Sequence, residues 1–244
     1  MCGIVGAYGY FNKNILVNML NEIHHRGPDQ TGYFLDKGLM LGIKRLSILD
    51  PKYGTQPMQT NDKQFTIAFN GEIFNFLEIK KELISKGINF KTSNSDTEVI
   101  LLGYKYFGNK IFEKLNGMFA IAIFENKKKK LILARDRSGI KPLFFIKNSN
   151  GFFFGSEIKA FFELPFFNKK PNVKALGKYF SLKNIPAPLT AFKDIFQVNP
   201  GEYISIEKNN FQIKKFWELK RQNKIWSKET IKKEIYDKLF NSVK

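Results

Sequence analysis

Apolar residues change their spacing several times along this chain, and each change marks a new element. The opening CGIVGAYGYF sets small and β-branched residues side by side without helical spacing, which predicts a buried strand ending in a loop and puts Cys2 at a strand end. Ile15, Leu16, Met19, Leu20 and Ile23 then recur at threes and fours, the period of an amphipathic helix, and HHRGPD (24–29) closes it with Gly and Pro. Strand-like segments follow at 39–44, 65–69, 118–124, 131–135 and 152–155. One helix is predicted over 76–86, stopping at Gly87, and another from Ser95, with Glu98 three residues on completing a capping box. Strands outnumber helices and do not alternate with them regularly, which favours antiparallel sheets with helices on their outer faces over a doubly wound parallel sheet.

Beyond about Glu207 the pattern weakens. Residues 208–226 are polar with scattered aromatics and read as a linker, and Ser227 opens a helix carrying Ile231, Ile235 and Leu239 on one face. The chain stops inside that helix, so residues 227–244 are expected to begin a further domain of a longer protein. The dense run Lys127–Lys130 sits between two strand-like segments and reads as a solvated hairpin tip.

Composition narrows the function classes. The chain of 244 residues is 43% hydrophobic with 26 Phe, enough to pack a core without disulfide or metal staples. Its formal charge of +18 raises the question of nucleic acid, yet only five of 40 basic residues are Arg and the lysines are dispersed, so neither nucleic acid nor membrane is expected as a partner. No run approaches the ~18 apolar residues of a membrane helix, and no leader pattern opens the chain. With one cysteine and two adjacent histidines, an internal disulfide is excluded and a zinc cluster implausible. A reducing, cytoplasmic location is the expectation.

That single cysteine stands second. Aminopeptidase trims Met before small residues, which would leave a thiol and a free α-amine on one residue. With pKa values near ~8.5 and ~7.7–8.0, the amine can accept the thiol proton at neutral pH without a catalytic histidine. The alternative is a small buried hydrophobe, the commoner fate of cysteine.

The surrounding segments decide between these. CGIVG at the start, HRGPD (25–29), RLSILD (45–50), NGEIFN (70–75), SDTE (95–98), LNGMFA (115–120), ARDRSGIKPLFF (134–145) and GSEIKA (155–160) occur in the order found in class II glutamine amidotransferases, the N-terminal-nucleophile hydrolases. Together they resemble the glutaminase domain of the glutamine-hydrolysing asparagine synthetases, from Cys2 to about Leu219.

The resemblance implies an α+β fold, a four-layer αββα sandwich of two antiparallel sheets, over residues 2–207. It implies Cys2 as nucleophile, Asn70 and Gly71 as oxyanion hole, Arg45 on the α-carboxylate of L-glutamine, Asp96 and Glu72 on its α-ammonium, and added backbone hydrogen bonds around Ile48 and Leu49. Residue by residue, other readings stay open. Arg45 could be a strand-flanking surface charge, Asn70-Gly71 is a strong two-residue hairpin signal, Asp96 could serve only the start of its helix, and Glu72 could be a solvated turn residue. Arg26 and the Arg135, Asp136, Arg137 cluster are expected to order loops. By the same resemblance the ammonia passes to a C-terminal synthetase domain that uses ATP and Mg²⁺ to amidate aspartate. The SGGxDS loop of that domain is absent from these residues, so no nucleotide, cofactor or metal is assigned to this chain. A sugar acid as the amidated carboxylate, a non-catalytic glutamine-binding module and a homodimer are the alternatives left in view.

Overall fold

A computed structural model describes residues 1–10, 12–208, 210–221 and 226–243. In chain order the elements are β1 (Gly3–Tyr8), α1 (Lys13–Glu22), β2 (Gln30–Asp36), β3 (Leu39–Arg45), β4 (Met58–Gln59), β5 (Phe65–Ile73), α2 (Phe76–Ser85), α3 (Asp96–Phe107) and α4 (Ile111–Lys114). There follow β6 (Gly117–Glu125), β7 (Lys130–Arg135), β8 (Phe144–Asn148), β9 (Gly151–Gly155), α5 (Val173–Leu182), β10 (Phe196–Gln197), β11 (Glu202–Glu207), β12 (Asn210–Lys215) and α6 (Lys228–Val243).

The strands form two six-stranded antiparallel sheets, ordered β10-β8-β9-β1-β3-β2 and β12-β11-β7-β6-β5-β4. Because side chains alternate across a strand, each sheet has two apolar faces to cover. Ile4, Leu41, Ile43, Ala68, Ala122, Leu133 and Phe154 fill the space between the sheets. Leu16, Met19 and Leu20 of α1, with Phe161, cover the outer face of the first sheet at Val5 and Ala7. Ile79 and Leu83 of α2 and Val99, Ile100 and Tyr104 of α3 cover the second at Phe69, Phe119 and Ile121. The result is the αββα order expected from the sequence. Among the described residues no helix is long and apolar enough to cross a membrane.

Three readings need correction. Asn70 and Gly71 do not turn a hairpin: they lie inside β5, paired with Ala120 and Phe119 of β6, because nine residues of strand pairing outweigh a two-residue turn preference. Residues 210–215 are no linker but β12, the edge strand beside β11; Phe211 and Ile213 alternate with the polar Asn210, Gln212 and Lys214, a pattern suited to an exposed edge. Asn209 and residues 222–225 of the supposed linker, and Lys244 at the end of the 227–244 segment, lie outside the described residues. The capping box at α3 closes only halfway. Ser95 Oγ accepts from Glu98 N at 3.4 Å, but the Glu98 carboxylate turns to the preceding loop and accepts from Lys91 N, Thr92 N and Thr92 Oγ1 at 2.8, 2.7 and 2.5 Å. The hairpin tip between β6 and β7 falls at 126–129, with Lys130 already in β7.

Candidate active site

Period-two alternation carries the inter-sheet core directly into a polar pocket. Ile4 faces the other sheet, so Cys2, two residues earlier, faces the same way at the edge of that core. Leu41 and Ile43 do likewise in β3, and Arg45 continues their row. In β5 the inward row is Ala68, then Asn70, then Glu72. The register Gly3↔Lys44 sets Cys2 beside Arg45. These rows end at one mouth of the sandwich, where the start of α3 adds Asp96. Cys2, Arg45, Ile48, Leu49, Asn70, Gly71, Glu72 and Asp96 all line one pocket of about 70 Å³.

The nucleophile candidate is held on three sides. Cys2 Sγ contacts the Leu46 carbonyl at 3.6 Å and accepts from Leu46 N at 3.4 Å. Arg26 Nε donates to the Cys2 carbonyl at 2.9 Å, and Arg26 Nη1 to Glu157 Oε1 at 2.9 Å. Asp29 Oδ2 accepts from Ser47 N at 2.8 Å, so the HRGPD segment fixes both Cys2 and the loop that follows β3. Arg45 belongs to that loop as much as to the pocket. Its Nη1 donates to Ser47 Oγ and the Pro51 carbonyl at 3.0 and 3.3 Å, its Nη2 to the Leu49 and Asp50 carbonyls at 2.9 and 3.1 Å. The Leu49 carbonyl is thereby occupied, and the Ile48 side chain is exposed.

Two donors border the pocket, one of them without a partner among the described residues. Asn70 is 1% exposed and its Nδ2 has no hydrogen-bond partner among the described residues. A buried amide N–H left unpaired costs about 1–3 kcal/mol, so its retention calls for an explanation. The second donor follows from strand geometry. Phe69 N is bonded to Gln56 Oε1 at 2.7 Å and Ile73 N to Asp96 Oδ2 at 3.2 Å, both on the edge of β5 turned away from β6. Alternation places Gly71 N on that same edge, between them. Glycine is required there: a Cβ at 71 would lie 2.0 Å from the Met118 carbonyl oxygen.

Asp96 is 5% exposed, and burial, reinforced by the Glu72 charge, pushes its carboxyl up to about 6 from 3.8 despite backbone hydrogen bonds from Ile73 and Thr97. A buried carboxylate beside a second one, at the rim of a pocket, is suited to receive a cationic group.

A family model for the glutamine amidotransferase domain matches residues 1–217. The chain belongs to that family. Across its whole length it is 34% identical to "Asparagine synthetase [glutamine-hydrolyzing] 1" of Bacillus subtilis, covering 39% of that protein. It is 35% identical, again over its full length, to "Putative asparagine synthetase [glutamine-hydrolyzing] 2" of Methanocaldococcus jannaschii, covering 52% of it. The chain thus spans about half, or less, of the length of these relatives. In fold it resembles the glutamine phosphoribosylpyrophosphate amidotransferase of B. subtilis solved with ADP and GMP, with a TM-score of 0.66 at 21% identity over 88% of this chain and 49% of that one.

The site residues singled out in the sequence thus share one pocket, but they do not make up its whole wall. Gln56, Thr97, Lys141 and Met1 also line the pocket. Gln56 lies in no motif; it is placed by bonds to Phe69 N and, through Nε2, to Thr97 Oγ1 at 3.1 Å. Lys141 sits inside ARDRSGIKPLFF, where the charged Arg135 and Asp136 drew attention away from it. Those two do order the loop: Asp136 accepts from the backbone N–H groups of Phe119, Ser138, Ile140 and Lys141, and Arg135 donates to the carbonyls of Lys141, Val198 and Gly139. Arg137 instead reaches the Glu113 carbonyl, on the outer surface. Among the described residues no three His, Cys, Asp or Glu side chains gather as a metal-binding group.

Proposed function

We propose that this domain, once Met1 is removed, hydrolyses L-glutamine to glutamate and ammonia with Cys2 as nucleophile. The observation that carries the reading is the buried, unpartnered Asn70 Nδ2 in the same pocket as the Cys2 thiol. An amide donor kept idle in the free protein is what a site needs when charge appears on a carbonyl oxygen only during reaction.

The thiol proton passes to the α-amine of Cys2 as Sγ bonds to the side-chain amide carbon of glutamine. Asn70 Nδ2 and Gly71 N hold the oxyanion, each such donor contributing about 3–4 kcal/mol in comparable sites. Collapse breaks the C–N bond, and the leaving nitrogen takes the proton back from the amine, departing as ammonia. Water then attacks the thioester, giving up its proton to the same amine; the C–S bond breaks, and glutamate leaves as the thiol reforms.

Asp96 and Glu72 receive the α-ammonium of the substrate. Arg45 receives the α-carboxylate by exchanging loop carbonyls for carboxylate oxygens, a pairing that its planar donors suit, and backbone at Ile48 and Leu49 completes the cradle. The names of the relatives support aspartate as the carboxylate amidated by a C-terminal synthetase domain of a longer polypeptide, with ATP and Mg²⁺ belonging to that domain. Residues 227–243 are then its approach, and a free thiol nucleophile suits the reducing cytoplasm.

Intact mass after exposure to 6-diazo-5-oxonorleucine, a glutamine-like electrophile, tests the reading. The expected product lacks Met1 and carries one adduct on Cys2, while Cys2→Ala takes up no label and hydrolyses no glutamine. Turnover by that variant would sink the assignment.

A further inference from the structure

Lys141 has a setting that the hydrolytic reading leaves unused. Its side chain lines the pocket with Cys2 while the residue is only 7% exposed. Burying an ammonium without a charged partner is costly, and among the described residues the only hydrogen-bond partner of Nζ is the Met1 thioether, at 3.4 Å. The backbone that carries this side chain is nonetheless closely fixed. Lys141 N donates to Asp136 Oδ2 at 3.0 Å and its carbonyl accepts from Arg135 Nε at 2.8 Å, so two buried charged groups hold the backbone of this residue at both its N–H and its carbonyl. The loop is built to hold this cation against the first residues of the chain, and removal of Met1 would take away its thioether partner.

We propose that Lys141 is a positioning residue that acts through charge on Cys2, favouring the thiolate and the neutral α-amine in the processed protein. The inference rests on the nucleophile reading above. A nearby cation disfavours a second positive charge on the amine and favours a negative one on sulfur, so it lowers the proton affinity of both. Both effects raise the fraction of molecules competent for attack near neutral pH. The other charged groups facing this corner are Arg45, Glu72 and Asp96 in the pocket, Arg26 on the Cys2 carbonyl, and Asp136 and Arg135 on the Lys141 backbone. Arg45 and Arg26 are committed to loop oxygens and Glu157, whereas Lys141 gives up with Met1 the one hydrogen-bond partner its Nζ has among the described residues.

The test uses the full chain with Met1 removed, as intact protein and as Lys141→Met, Lys141→Gln and Lys141→Arg. Two profiles are measured against pH: kcat/KM for glutamine hydrolysis, and the rate of Cys2 alkylation by iodoacetamide, which reads the thiol without glutamine chemistry. A unit charge sharing a small pocket with such a group displaces its titration by on the order of one pH unit. Both neutral variants should move the acid limb of both profiles upward by that amount, and Lys141→Arg should leave it near its original place. Superimposable profiles in a neutral variant that melts like the parent overturn the proposal, as does a rise in KM with unmoved limbs, which would make Lys141 a substrate ligand. If the parent protein takes no electrophile on Cys2, the nucleophile reading has failed instead.

Discussion

At the scale of single residues, the pocket trades stability for readiness. Asn70 Nδ2 is desolvated without a partner, and Asp96 is a carboxylate buried next to Glu72. Its folded pKa of about 6 lies above the ordinary 3.8, so between those values the folded protein holds a proton that the unfolded chain has released. Stability therefore falls as pH rises through that window and stays lower above it, by about 2–3 kcal/mol at full ionisation. Asp96→Asn keeps an oxygen to accept from Ile73 N and removes the charge. It should melt higher than the parent above the window and at the same temperature below it, while the proposed ammonium role predicts a higher KM for glutamine. A variant that gains no stability on the alkaline side would show that Asp96 is already neutral or solvated in the free protein.

At the scale of elements, the start of α3 is tied down by Glu98 more than by its N-cap. Three donors of residues 91 and 92 converge on the Glu98 carboxylate, whereas Ser95 Oγ makes one long bond. Glu98→Ala should cost about 2–4 kcal/mol in chemical denaturation and Ser95→Ala about 1 kcal/mol or less, with glutamine KM rising in the former as Asp96 loses its footing. The reverse order would return the helix start to the Ser95 cap. This arrangement also marks what was legible beforehand. Ser95 and Glu98 announced the helix, and the runs at 65–69, 118–124 and 131–135 announced the central strands, because their apolar periods are long and unbroken. The destination of the Glu98 carboxylate was not legible, since it depends on where the 91–92 loop passes. Likewise β2 escaped notice: Gly32 interrupts its pattern where a Cβ would lie 1.9 Å from the Gln56 carbonyl oxygen, a tertiary approach that no local rule encodes. Cys2, Arg45, Asn70 and Asp96 reach the pocket from motifs visible in the sequence, whereas Gln56 lies in no motif and the place of Lys141 in the wall is set by the fold.

At the scale of the whole molecule, the question is where the amidotransferase domain ends. The sequence pattern placed its boundary at Glu207, but the sandwich continues past it. Phe211 of β12 lies against Phe145 and Phe152, with Lys147 Nζ 4.2 Å from its ring centroid, and Phe216 packs on Phe112 and Phe119. Phe216 N and Trp217 N both donate to the Gly201 carbonyl. In α6, by contrast, no residue is buried, and Ile231, Ile235, Leu239 and Phe240 are exposed. Partial burial of each of the two aromatic side chains is worth about 1 kcal/mol or more, and the open edge of β11 would add a site for aggregation. A chain ending at Leu219 should therefore keep the parent's melting midpoint and its Cys2 labelling, since α6 contributes no buried residue. One ending at Glu207 should lose several kcal/mol of stability or precipitate. Equal stability of the two would put the domain boundary back where the sequence pattern had it and make β12 an ornament of the sheet.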